Sequence, residues 1–176
     1  MYEDLKIVLW PDPRLRKISK PVAKIDDSIA ALSARMLELM REARGVGLAA
    51  PQVGMNIRLF VANPTGEPGD DKVYINPELS EADGEEEDEE GCLSLPGITA
   101  TILRSTGMKI RAQGLDGQWF EEQSTDFPAR VWQHEFDHLN GTLLMDRMGP
   151  AEKMASKKKL KELEDKWAEL QPKKKK

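Results

Sequence analysis

The stretch Gln133-His134-Glu135-Phe136-Asp137-His138 constrains this chain more than any other. It reads H-E-x-x-H, and its surroundings carry helical punctuation. Asp126 and Pro128 can start a helix, because Pro is tolerated in the first turn, where its missing N–H costs nothing. Asn140-Gly141 can end it, since both tolerate the left-handed backbone of a C-terminal cap. On that helix His134 and His138 lie four residues apart and share a face, so both imidazoles reach one metal ion. Glu135 projects roughly 100° round from His134 and flanks the ion without ligating it. A metal with a carboxylate base beside it is a hydrolytic arrangement. A packed or solvent-facing side chain is the ordinary reading of one His in a helix. It does not account for a chain whose only two His both fall here.

Two imidazoles leave a catalytic site incomplete, because three protein ligands and one open position are expected. No third His exists, so the remaining ligand is a downstream carboxylate or Cys92. Cys92 is the only cysteine. It forms no intrachain disulfide, which suits a reducing compartment, and a thiolate binds Zn²⁺ or Fe²⁺ well. Taken alone, Cys92 would be a small buried apolar residue.

Taken in order, Leu5 to Trp10 is a short apolar run of strand character, stopped by Pro11-Asp12-Pro13. Arg14 to Pro21 is basic and irregular. Asp26-Asp27 offers N-cap carboxylates. Ile29, Leu32, Met36, Leu39, Met40 and Ala43 then keep helical spacing, an amphipathic helix packed on a sheet. Gly45 to Gly54 is a small-residue loop whose glycines allow close approach or positive φ. It lacks the Lys-Ser/Thr and the full glycine spacing of a phosphate loop. Gln52 places an amide donor just past it, suited to a substrate oxygen. Ile57–Ala62 and Lys72–Ile75 are expected strands, separated by the turn-rich Asn63–Asp70, and Asn76-Pro77 ends the second. The carboxylates of Ala82–Glu90 read as a solvated loop, the alternative being a loop that tunes the electrostatics of whatever Cys92 binds.

Thr99–Leu103 and Met108–Ala112 are further strands, joined at Ser105-Thr106-Gly107. Asp116-Gly117 is the strongest hairpin signal and pairs Lys109–Leu115 with Gln118–Glu122. Leu143-Leu144-Met145 is a short extended exit. Gly149-Pro150 opens a last helix with an apolar stripe of Leu160, Leu163, Trp167 and Leu170, ended by Pro172 and Lys173–Lys176. The expected fold is α+β: a single domain of short antiparallel sheets packed around a central metal-binding helix, with a C-terminal helix. Its expected bounds are 1–176, with a core of about 5–147, the last helix at 150–170 and a basic tail at 171–176.

Composition sets the outer limits. The 176 residues suit one domain, and 39% hydrophobic against 32% charged residues indicate a water-facing surface. The net charge of −5 is uneven, acidic in mid-chain and Lys-rich at the end. No apolar run approaches the roughly 20 residues of a membrane span. Met1-Tyr2-Glu3-Asp4 begins no basic-then-apolar signal. A cytoplasmic, bacterial-type placement is therefore expected.

Three segments carry a resemblance: Gly45-Val46-Gly47-Leu48-Ala49-Ala50-Pro51-Gln52, Glu90-Gly91-Cys92-Leu93-Ser94 and Gln133–Leu139. They resemble the signature motifs of the peptide deformylases, in the same order and at similar separations. Arg14-Leu15-Arg16 and Lys20-Pro21-Val22 also resemble that family's N-terminal region, so the similarity covers about residues 5–147. H-E-x-x-H alone is moderately specific; the three blocks together are highly specific.

The resemblance implies that Cys92, His134 and His138 hold the metal, naturally Fe²⁺ in the family and often replaced by Zn²⁺, Ni²⁺ or Co²⁺. It implies that Glu135 is general base and acid, and that Leu93 N–H and the Gln52 amide face the formyl oxygen. Gly47 and Gly91 would hold the peptide like an added strand, with Val46, Phe127 and Val131 in the methionine pocket. The implied reaction removes the N-terminal formyl group from nascent formyl-methionyl chains, releasing formate. The sequence departs from many relatives at Glu86–Glu89, where an apolar residue is usual, and at Ile98-Thr99, where an aromatic is usual. The methionine pocket is expected to differ in shape accordingly.

The basic C-terminal helix and Lys173–Lys176 resemble the tail some bacterial relatives use near the ribosome exit, against the plain reading of a solubilising end. No membrane and no sequence-specific nucleic acid is expected as partner. Two rivals remain. A zinc peptidase of the H-E-x-x-H type needs a third ligand downstream and leaves Cys92 and Gln52 idle. A non-catalytic metal or peptide-binding module needs a closed four-ligand site.

Overall fold

The computed structural model describes residues 2–171. Its centre is a five-stranded antiparallel sheet in the order β1-β2-β3-β6-β7. These strands are β1 (Gly47–Ala49), β2 (Leu59–Ala62), β3 (Lys72–Asp83), β6 (Gly107–Gln113) and β7 (Trp119–Ser124). A separate two-stranded ribbon pairs β4 (Glu86–Gly91) with β5 (Thr99–Arg104). The helices are α1 (Asp27–Glu42), α2 (Phe127–Leu139), the single-turn α3 (Leu144–Arg147) and α4 (Pro150–Leu170). The fold is α+β, as the hydropathy pattern predicts. No described helix is long and apolar enough to cross a membrane.

The sheet is sandwiched between α1 and α2. Side chains alternate across a strand, so Leu59 and Val61 of β2 meet Leu32, Met36 and Met40 of α1. Phe60 and Ala62 meet Ala129, Val131 and Trp132 of α2. Burial on both faces explains why β2 reads as an unbroken apolar run. On the α2 side Phe60 stacks on Tyr74 at 4.7 Å, and Trp132 Nε1 donates to the Tyr74 hydroxyl at 3.2 Å. A third core joins the ribbon to the C-terminal helices: Ile98, Ala100 and Ile102 pack with Leu144, Met148, Leu160 and Leu163.

Several sequence expectations are corrected. Leu5–Trp10 forms no ladder strand. It is a brace, with Val8 N–H donating to Gln52 O at 2.8 Å and Trp10 N–H to Ser94 O at 3.0 Å. Pro13–Arg16 is a short 3₁₀ turn, and the small-residue loop contains β1 and a second such turn, Ala50–Val53. Asn76-Pro77 does not end β3. Asn76 takes φ of 51° in a bulge, and its side chain bonds Val22 N–H, Val22 O and Gln113 Oε1, so the strand resumes at Glu78. The acidic loop is the end of β3 and all of β4, because cross-strand partners override the low strand propensity of Glu. Thr99–Leu103 and Met108–Ala112 belong to different sheets and form no hairpin with each other. Leu143-Leu144-Met145 runs into α3, since Asp146 Oδ2 accepts from Leu143 N–H at 2.7 Å. Leu170 is exposed and does not join the α4 stripe. The expected helix stop at Pro172 and the tail Lys173–Lys176 lie outside the described residues.

Candidate active site

Helix α2 positions the motif. The Asp126 carboxylate accepts from Phe127 N–H at 2.8 Å, Pro128 sits in the first turn and Asn140 caps the other end. With Ala129, Trp132 and Leu139 buried on the large sheet, the face bearing His134 and His138 turns toward the ribbon. β4 ends at Gly91 and delivers Cys92 there.

The three candidate ligands converge. Their donor atoms all lie within 4.8 Å of one another, and Cys92 Sγ stands 3.4 Å from His138 Nε2. Among the described residues no other three such donors form a group. The downstream carboxylate left open by the sequence, and with it a fourth ligand, is not brought to the site. His134 Nδ1 pairs with Glu90 Oε2 at 2.9 Å, which leaves Nε2 free to bind a metal. One thiol sulfur and two imidazoles form a donor set that fits Zn²⁺ or Fe²⁺.

Glu90 is not singled out by the sequence, which reads its acidic run as solvated or, alternatively, as tuning the electrostatics near Cys92; the structure sets it against His134. Glu90 is 7% exposed. Arg104 grips it with Nε at 2.9 Å and Nη2 at 3.0 Å, and Arg130 Nη1 donates to Oε1 at 2.9 Å. Arg104 also reaches Asp137 at 2.6 Å, and Asp137 in turn binds Arg147. Burial opposes the charge on Glu90, but hydrogen bonds from His134 and Arg104 hold its carboxyl far below the usual range. Burial likewise opposes a cation on His134, yet Cys92 and Glu90 hold its pKa well above the ordinary value. On His138, burial and the neighbouring His134 act together and push the pKa well down.

Glu135 lines, together with Cys92 and His134, a cleft of about 590 Å³ between β1 and the ribbon. Burial pushes its carboxyl up to about 7, and Oε2 is buried without a partner. Gly47 makes room for it: a Cβ there would lie 2.4 Å from Glu135 Oε1. Gln52 is buried beside Cys92. Its Oε1 accepts from Ala49 N–H at 2.9 Å, so Nε2 points at Ser94 Oγ (3.2 Å) and Cys92 Sγ (3.6 Å). Leu93, Val46, Gly47, Gly91, Phe127 and Val131 all line the same cleft. Arg130, absent from the sequence-derived set, lines it too. One buried acid, one amide donor and two of the three metal donors, Cys92 and His134, thus line a single concave space, with the His138 donor within 4.8 Å of both, an arrangement suited to hydrolysing an amide.

Comparison with known proteins agrees with this chemistry. The family model described as polypeptide deformylase matches residues 4–154. A peptide deformylase of Thermotoga neapolitana is 46% identical over 159 residues, 90% of this chain and 95% of the relative. Among solved structures, a plant peptide deformylase superposes with a TM-score of 0.92 at 40% identity, covering 96% of this chain and 94% of that one. A Plasmodium falciparum peptide deformylase gives 0.91 at 34% identity, covering 96% and 100%.

Proposed function

This chain belongs to the polypeptide deformylase family, and from that premise we propose that Cys92, His134 and His138 hold one divalent metal ion beside Glu135 as general base and acid. The activity is that of the family: a metal-dependent hydrolase that removes the N-terminal formyl group from formyl-methionyl peptides. A cation held by these donors supplies Lewis-acid polarisation and activates water at neutral pH.

The chain's own groups supply the rest. Glu135 takes the proton of the attacking water and returns one to the departing peptide nitrogen as the C–N bond breaks, giving formate and a free amine. Its raised pKa suits both transfers. The Gln52 amide and the Leu93 N–H stabilise the oxygen that gains charge. β1 and β4 are both edge strands, so a peptide pairs with the backbone at Gly47 and Gly91 as an added strand. Val46, Phe127 and Val131 receive the methionine side chain. The observation that carries this reading is the convergence of Cys92 Sγ with both imidazoles beside the buried carboxylate of Glu135.

We propose Fe²⁺ as the resident ion, as family membership implies, with Zn²⁺, Ni²⁺ or Co²⁺ as substitutes that the mixed sulfur and imidazole donors also suit. Metal analysis of anaerobically purified protein tests this. We also propose that the enzyme works in the cytoplasm and that exposed Lys157 and Lys158 of α4 help it dock on the ribosome. Charge reversal at those lysines should reduce co-sedimentation with ribosomes. Deleting α4 would be a poorer test, because Leu160 and Leu163 pack on the core.

The decisive assay is formate release from formyl-Met-Ala-Ser, with acetyl-Met-Ala-Ser and an unblocked longer peptide as controls. Turnover of the first alone is expected. Cleavage of internal bonds in the unblocked peptide would favour a peptidase, and no formate at full metal loading would overturn the assignment.

A further inference from the structure

Arg130 stands on α2 one turn before His134 and is 7% exposed. Three of its five guanidinium N–H groups are engaged. Nη1 donates to Glu90 Oε1 at 2.9 Å and to Ile102 O at 3.0 Å, while Nη2 donates to Glu86 O at 2.7 Å. These bonds tie α2 to both strands of the ribbon.

Two cavities meet at this side chain. One is the catalytic cleft of about 590 Å³. The other is a surface notch of about 70 Å³, lined by the exposed Asp88 and Thr125 and the half-buried Thr106. Phe127 and Arg130 line both. They are three residues apart on one helix and share a face. Their side chains are therefore the wall between the two spaces. Phe127 is 43% exposed at the cleft mouth, whereas Arg130 is held at the inner end. A guanidinium fixed by three hydrogen bonds does not swing aside cheaply, because each buried donor would lose its partner.

We propose that Arg130 closes the inner end of the pocket for the first side chain and so sets the longest side chain the enzyme accepts. The proposal rests on the deformylase reading of the cleft. Shortening Arg130 opens the end of the pocket into that notch, so a longer first side chain can run past the point where the guanidinium now stands.

The test compares kcat/KM for formyl-Met-Ala-Ser and for formyl-2-aminooctanoyl-Ala-Ser, whose first side chain is two atoms longer. In Arg130→Ala the ratio of long to short substrate should rise about tenfold, the lower end of what one methylene is worth in an apolar pocket. Loosening Glu90 lowers both rates, and the ratio cancels that loss. Arg130→Lys, which keeps a charge beside Glu90 and is shorter, should give a smaller rise and serves if the alanine variant does not fold. An unchanged ratio in the folded variants, with normal formyl-Met turnover by the parent enzyme, overturns the inference and leaves the deformylase reading intact. No formate from formyl-Met by the metal-loaded parent overturns that reading, and the inference falls with it.

Discussion

Gly47 and Glu135 compete for one space: a Cβ on Gly47 would stand 2.4 Å from Oε1 and 2.8 Å from Cδ of the carboxylate. The acid can reach into the cleft only because the edge strand β1 has no side chain there. Gly47→Ala must displace the carboxylate, since the helix backbone behind Glu135 cannot retreat. Turnover should fall at least about 10²-fold, the scale of one acid–base contribution, while metal content and circular dichroism stay as in the parent. Parent-like turnover would mean that Glu135 does not work from this position.

Gln52 is held by Ala49 N–H, which aims its amide nitrogen at Cys92. Gln52→Ala should leave metal content unchanged and lower kcat by about 10²–10³, as the loss of one oxyanion donor does. Gln52→Glu should do as badly, because a carboxylate oxygen would replace the donor. Full turnover in the alanine variant removes Gln52 from the mechanism.

Cys92 supplies the sulfur that completes the metal group. Cys92→Ser replaces a soft donor by a hard one. The variant should lose metal on gel filtration in a mild chelator that the parent survives, as read by elemental analysis. Equal retention by both would show that the thiol is not a ligand.

Glu90 holds His134 from the side away from the metal. Glu90→Gln should weaken metal binding about 10–100-fold, the usual scale for such a partner. It also leaves Arg104 and Arg130 facing a neutral amide. Breaking a buried ion pair costs about 3–5 kcal/mol, so the thermal midpoint should drop by several degrees. The sign with pH follows from the depressed carboxyl. An unfolded Glu titrates near about 4.3 and Glu90 in the fold lies well below that. Its contribution is therefore present at neutral pH and is lost as pH falls below that unfolded value. A midpoint insensitive to acid in the parent, or parent-like metal affinity in the variant, would refute the role.

His134 must be neutral to bind a metal, yet in the metal-free chain Cys92 and Glu90 hold its proton above the ordinary pH range for His, against the effect of burial. Loading therefore releases a proton. Metal affinity should fall as pH falls through neutrality, by up to about tenfold per unit. Competition with a chelator from pH 8 to 6, corrected for the chelator's own protonation, measures it. A flat profile would show that His134 is already neutral before the metal arrives.

Local spacing by itself determined the motif helix with its Asp126 and Asn140 ends, the Asp116-Gly117 hairpin, the α1 face and the residue types of the site. Those features depend on dihedral preference and periodicity within a few positions, which a chain carries wherever it folds. Tertiary structure alone decided which acid in the run Glu85–Glu90 turns inward, because a period of two cannot be read in a stretch made only of carboxylates. Its partners Arg104, Arg130 and His134 lie 14 to 44 positions away. The same holds for Asn76, whose bulge depends on Val22 and Gln113, and for β5 and β6, neighbours along the chain that joined different sheets. Long-range pairing is settled by which surfaces close against each other, and that is a property of the whole fold.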